Sequence, residues 1–391
     1  MNGKKFIKFA HRQNLKYPLQ LLLWNVLRDA EGSLLGYFLN ISDLLLNLPL
    51  MFLGELFAGL LIYLYQKQFF LINKTEEPQR FQNIELIQKE QIIDKGKEKD
   101  KKIFFIIFCS AFLDFLEFKL FYVFSKFLYI SYSIEMRLKG CYTIYNALFY
   151  YFALRLPMQK HQIFSLIFIG ICIVIVITTE FIFQKVNIFL TYGQFVLMLF
   201  FIFLIHFYSA SVESNGKYLY EFKTLNPFFN LMFEGLFGFL ISIIYCSIYN
   251  PFSEIIKFRK NHSTSDFVFL ILSLILYIIL SGLKNSYRVL TTKVFSPMTT
   301  TFMEYIINPF YLLYYFFTGT DFIPYGDRNY TYFVINLIVS IILTFLGLFY
   351  NEFLILFFCG LEKETHNQIT KRSLDERELN NIIEQDDDSE F

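Results

Sequence analysis

Apolar residues in this chain run in long blocks rather than in alternation. Ten stretches, 17–39, 44–66, 103–125, 129–153, 160–182, 188–211, 227–249, 267–290, 296–318 and 332–357, are built mostly from Ile, Leu, Phe, Val and Tyr. Each passes the ~20 residues that an α-helix needs to cross ~30 Å of hydrocarbon. In lipid a backbone must satisfy its own polar groups, which leaves helices and closed barrels. Barrel strands are ~10-residue segments of alternating polarity, so these continuous blocks predict helices. The first is interrupted by Arg28, Asp29 and Glu31. The expectation is an all-α integral membrane protein of about ten transmembrane helices.

The connections carry the charge. A basic arm, 1–16, holds Lys4, Lys5, Lys8, Arg12 and Lys16. The 73–102 loop is rich in Lys, Glu, Gln and Asp, and Arg155 and Lys160 flank the next loop on that side. Lys and Arg favour the cytoplasmic side of a membrane. Ten crossings put these segments and both termini on one face, cytoplasmic in an intracellular membrane or matrix-facing in a mitochondrial inner membrane. Lys257, Arg259 and Lys260 run against the trend. The acidic tail, 358–391, ends in Glu384-Gln385-Asp386-Asp387-Asp388. Segments 73–102 and 361–391 read as solvated, with protein partners as their possible use. No cleavable signal peptide is expected, because Met1–Lys16 is polar and basic.

The blocks fall into two halves, 17–182 and 188–357, that resemble each other in register. ELFAGLL at 55–61 faces EGLFGFL at 234–240, which aligns Glu55 with Glu234 and Gly59 with Gly238 at an offset of 179. Lys119-x-x-Tyr122 aligns with Lys284-x-x-Tyr287, and Ser131 with Ser296, at an offset of 165. The charged 73–102 connection supplies the difference. Five helices per half invert the second half relative to the first. Inverted repeats are a common plan of carriers, which bind near the midplane where the halves meet.

Charges inside spans cost at least ~2.5–3.5 kcal/mol on insertion scales and so mark interior or functional positions. Glu55 and Glu234 lie twelve and eleven residues from the nearest preceding charges, Asp43 and Lys223. At ~1.5 Å per residue they sit ~17 Å deep, near the midplane. They lead the candidates for proton coupling or cation binding. Asp114 and Glu117 share a helix face three residues apart, with Lys119 in reach. Lys284 and Arg288, four apart, could present a basic patch to phosphate or carboxylate, with Glu304 as a partner. The bland alternatives are internal ion pairs, helix-end snorkelling and, for His206, hydrogen-bonded packing. Gly32, Gly36, Gly54, Gly59, Gly235 and Gly238 suit close helix packing, and Pro297 and Pro309 should kink or bound the ninth span.

Composition narrows the classes further. A net charge of +1 provides no field for nucleic acid. Five cysteines without a CxxC spacing suggest neither a disulfide framework nor a zinc site. No HExxH, GxSxG or phosphate-binding glycine loop occurs, so neither an enzyme nor a cofactor or metal site is predicted. Sequons stand at Asn40, Asn73, Asn261 and Asn329.

Several stretches resemble the drug/metabolite transporter superfamily, specifically the nucleotide-sugar-transporter-like solute carriers of family 35, nearest subfamily F. They are MFLGELFAGLLIYLY at 51–65, the 136–176 segment beginning MRLKGCYTIYNALFYYFALRLP, FEGLFGFLIS at 233–242, SPMTTTFMEYIINPFYLLYYFF at 296–317 and GLFYNEFL at 347–354. The resemblance implies a ten-helix, two-repeat carrier of a small organic metabolite working by alternating access. It places Glu55, Glu234, Gly140, Ser296 and Glu304 where relatives bear similar residues, and offers Lys284 and Arg288 as counterparts of phosphate-binding bases. The chain departs from it in the charges of the first block, in Lys139-Gly140 where the family has Arg-Gly, and in its bulky aromatics. Those departures, with the two charged segments, favour a second expectation: a non-transporting membrane subunit of a larger complex, built on a recruited carrier fold.

Overall fold

The computed structural model describes residues 7–9, 15–39, 44–73, 96–128, 137–155, 158–184, 192–249, 252–318 and 330–356. Their elements are β1 (Ile7–Phe9), α1 (Lys16–Leu39), α2 (Leu44–Asn73), α3 (Gly96–Leu128), α4 (Gly140–Phe152), α5 (Lys160–Gln184) and α6 (Tyr192–Glu221). There follow α7 (Pro227–Tyr249), α8 (Phe252–Asn261), α9 (Thr264–Val294), α10 (Pro297–Tyr305), α11 (Asn308–Thr318), α12 (Tyr330–Tyr350) and β2 (Leu354–Leu356).

Among the described residues six helices, α2, α5, α6, α7, α9 and α12, are long and apolar enough to cross a membrane. α1 and α3 are long as well but carry more charge, Arg28, Asp29 and Glu31 in one and Asp114, Glu117 and Lys119 in the other. The helices present apolar side chains outward: Phe317 of α11, Ile248 of α7 and Phe105 of α3 are exposed by 74%, 71% and 67%. Exposed large hydrophobics and buried Glu, Arg, Asn and Thr reverse the arrangement of a water-soluble domain.

Several boundaries shift from the sequence reading. α6 continues to Glu221, ten residues past the expected end, through the polar run Ser211–Lys217. α3 begins at Gly96, inside the expected charged loop; residues 74–95 lie outside the described part. The fourth block is helical as α4 from Gly140, and residues 129–136 lie outside the description. The ninth block is two helices. Pro297 occupies the first turn of α10, behind Ser296, whose hydroxyl accepts from Thr299 N at 3.2 Å. The helix breaks at Ile306–Ile307 because Pro309 has no N–H to give the preceding turn. α9 starts on a capping box, with Ser263 Oγ accepting from Asp266 N at 3.2 Å and Asp266 returning the bond to Ser263 N at 3.3 Å.

α2 and α7 pack along each other, and α9 lies against α2 and α1. α3 packs on α6 and α7, α4 on α5 and α6, α1 on α10, and α5 on α12. Glycines set the closest approaches. A Cβ on Gly59 would lie 2.6 Å from Met232 N of α7, and one on Gly235 would lie 2.5 Å from Leu56 N of α2. A Cβ on Gly282 would lie 2.7 Å from Gly54 O, where α9 meets α2. Small residues permit such backbone contact, which supplies dispersion where lipid supplies no hydrophobic drive.

Ile7–Phe9 pairs antiparallel with Leu354–Leu356, which brings both ends of the described chain to one face, the strand face. Asn226 Nδ2 donates to Gln66 Oε1 at 3.0 Å and Thr299 Oγ1 to Asn351 Oδ1 at 2.7 Å, gathering the end of α2, the start of α7, the start of α10 and the end of α12 on that face.

Candidate functional site

Arg288 lies six residues before the end of α9, and its side chain is buried among helices α2, α6 and α7. Nη1 meets Glu213 Oε1 of α6 at 3.1 Å. Nη2 meets Glu234 Oε1 of α7 at 3.4 Å and Glu55 Oε1 of α2 at 3.8 Å. Polar neighbours hold the carboxylates in place. Asn285 Nδ2, one turn before Arg288, donates to Glu55 Oε1 at 2.6 Å. Asn230 Nδ2 donates to Glu234 Oε2 at 3.2 Å and reaches Tyr220 Oη at 3.1 Å. Thr292 Oγ1, one turn after Arg288, donates to Glu213 Oε2 at 2.7 Å and shares a 2.9 Å bond with Thr300 at the start of α10. The positions 285, 288 and 292 recur at helical spacing, so one face of α9 serves all three glutamates. Away from bulk water such charges survive only when paired and hydrogen-bonded.

The structure therefore brings together Glu55, Glu234 and Arg288, which the sequence suggested from separate arguments. Asp114 and Lys284 are buried, and both act electrostatically on Glu55. Glu117 is half-buried on α3, and Lys119 holds its ammonium 3.5 Å from the Tyr245 ring centre on α7. Glu304 belongs to α10, but its side chain lies outside the described residues. Arg288 faces this chain's own carboxylates rather than an open basic patch. Glu234 is seven residues from the start of α7, ~10 Å at ~1.5 Å per residue.

Three participants were missed. Glu213 and Lys217 fell beyond the expected end of the sixth block, in a run whose polarity reads as a loop. Lys217 Nζ donates to Lys293 O at 3.2 Å and Phe295 O at 3.0 Å, and pairs with Glu221 at 2.7 Å. It thus satisfies carbonyls at the C-terminus of α9. The third, Arg137 just before α4, pairs with Glu180 of α5 at 2.7 Å. Tyr332 Oη of α12 donates to the same Glu180 oxygen at 2.6 Å. At the other end of the α5–α12 pair, His161 of α5 sits 3.5 Å from Glu352, which follows α12. The charges of the first block are placed too: Arg28 pairs with Asp29 at 2.6 Å, and Ser273 of α9 donates to Glu31. His206 is buried and stacks on Tyr142. Among the described residues no group of three or more His, Cys, Asp or Glu side chains is disposed to hold a metal ion.

Fold and site define the class: a multi-pass α-helical membrane protein whose charged groups gather between its helices. Comparison with protein-family models and with curated proteins returns no match for this chain.

Proposed function

We propose that this protein is a secondary carrier of a small organic metabolite, made of ten membrane-crossing helices in two inverted repeats and working by alternating access. The observation that carries the reading is the group around Arg288, where four long helices from both halves bring ionisable side chains together in the interior. Intramembrane charges at such a junction are expensive to keep and commonly lie on a transport path.

Helix packing supports the repeat. Pairing α1 to α5 with α6, α7, α9, α10–α11 and α12 makes the α1–α9 contact the counterpart of α6–α3, and α2–α9 that of α7–α3. The α2–α7 and α5–α12 contacts then map onto themselves. The polar ends of α5 and α12 follow the same rule. Glu180 late in α5 meets Tyr332 early in α12, while Glu352 after α12 meets His161 early in α5. Glu180 and Glu352 are 172 residues apart, and His161 and Tyr332 are 171 apart. The paired strands support placing both termini on one face, cytoplasmic in an endomembrane or matrix-facing in a mitochondrion.

The test is uptake into proteoliposomes from a panel of labelled metabolites, with and without a pH gradient. Saturable uptake that falls at least tenfold in Glu55→Gln supports the reading. If the panel stays outside and Glu55→Gln behaves as wild type, carriage is excluded. One observation favours a second reading: both terminal nitrogens of Arg288 are engaged by this chain's own carboxylates, as in a fold kept together rather than cycling. On that reading the chain is a non-transporting subunit of a larger complex, and native electrophoresis after mild solubilisation would show it only in a large stoichiometric assembly.

A further inference from the structure

The group around Arg288 has more negative than positive charge to offer. One guanidinium is shared by Glu55, Glu213 and Glu234. Among the described residues Asp114 and Lys284 also act on Glu55 and add one charge of each sign. Fully ionised, these six side chains hold four negative charges against two positive.

Hydrogen bonding shows where the gap lies. Glu213 Oε2 accepts from Thr292 at 2.7 Å, and Glu234 Oε2 from Asn230 at 3.2 Å. Glu55 Oε1 accepts from Asn285 at 2.6 Å, but Glu55 Oε2 is buried and has no hydrogen-bond partner among the described residues. The residue is 1% exposed. A buried carboxylate oxygen without a donor is costly. Glu55 is the farthest of the three carboxylates from Arg288, and a guanidinium moving closer to it would strip Glu213 or Glu234. The carboxylates surround a guanidinium rather than converging on one point, which is not the six- to eight-oxygen cage of a hard divalent cation.

We propose that this site takes a compact organic cation with N–H donors, a primary ammonium or a guanidinium, whose donor reaches Glu55 Oε2. The assignment rests on the carrier reading and narrows it. An anionic substrate such as a nucleotide-sugar would meet the excess carboxylates and find Arg288 already occupied. A quaternary ammonium would match the charge and leave the oxygen without a donor.

The test uses the purified full-length protein in detergent and follows its melting temperature. Methylguanidinium, tetramethylammonium and UDP-N-acetylglucosamine serve as probes at constant ionic strength. Methylguanidinium should raise the melting temperature saturably, tetramethylammonium should need at least tenfold more for the same shift, and UDP-N-acetylglucosamine should give none. Glu55→Gln should abolish the methylguanidinium shift, and Glu55→Asp, which keeps the charge on a shorter arm, should weaken it at least threefold. Equal responses to the two cations, a response to UDP-N-acetylglucosamine, stabilisation by pH alone with no cation effect, or an unchanged Glu55→Gln would each overturn the proposal. The same preparations in liposomes separate the two ideas. Cation binding without uptake of any probe sinks carriage and keeps the site, whereas uptake of UDP-N-acetylglucosamine without cation binding sinks the site and keeps carriage.

Discussion

Replacing Arg288 by Met keeps the long apolar stem and removes the cation that three carboxylates share. Glu213, Glu234 and Glu55, which stand 3.1, 3.4 and 3.8 Å from the guanidinium nitrogens, would then surround an uncharged side chain. Removing one partner of a buried ion pair costs about 3–5 kcal/mol, because the other partner stays buried and uncompensated. At about 2–4 °C per kcal/mol the melting temperature should fall by roughly 10 °C. A thiol-reactive dye reports the melt, since the Cys141 and Cys172 thiols are buried and become reactive on unfolding. Glu234→Gln by itself should cost less, because Arg288 still pairs with Glu213. Adding Glu234→Gln to Arg288→Met removes one stranded carboxylate and should restore about 1–2 kcal/mol, a coupling typical of groups in one network. A loss under 2 °C for Arg288→Met, or strict additivity in the double variant, would refute the reasoning: it would mean that the guanidinium is solvated and uncoupled.

Other outcomes follow from the same geometry. Gly59→Leu drives a side chain into the backbone of Met232 and should abolish the monodisperse elution peak, whereas Gly170→Ala, where an added Cβ meets nothing within 4 Å, should stay within about 1 kcal/mol of wild type in the dye melt. Tyr332→Phe deletes the 2.6 Å bond to Glu180 and should cost about 1–3 kcal/mol, and Arg137→Leu should make that cost smaller if the three side chains form one network. Arg155 holds φ at 54° just past α4, so Arg155→Gly should raise the melting temperature by an amount equivalent to about 1 kcal/mol; a fall would show that the side chain is needed there. Lys217→Met frees the carbonyls of Lys293 and Phe295 and should speed hydrogen exchange at the α9–α10 junction well before the rest of the protein.

Helix positions were legible in the sequence because burial in lipid imposes a one-dimensional rule. Any run of ~20 apolar residues must become a helix whatever its neighbours are. That rule gave α5, α7 and α9 to within a few residues of their structural ends. It failed where a helix passes from lipid-facing to protein-facing surroundings. Ser211–Lys217 reads as a loop by composition, yet it is helical, because Glu213 and Lys217 find their partners on α9. It failed again at 96–102, where charge alone suggested a loop and α3 has already begun.

The individual polar residues were equally visible, since a carboxylate in an apolar run costs free energy and stands out for that reason. Glu55 and Glu234 could be named from their depth and Arg288 from its spacing to Lys284, but not as partners. They are separated by 179 and 54 residues, and only the crossings of α2, α7 and α9, fixed by glycines too small to hold the backbones apart, bring them within 4 Å. The pairing of Glu180 with Arg137 and Tyr332 likewise depends on how α5 meets α12, which no local pattern encodes. Sequence determined what must leave water; the packing of one helix on another decided which of the buried charges meet, because that depends on the relative rotation and depth of helices far apart along the chain.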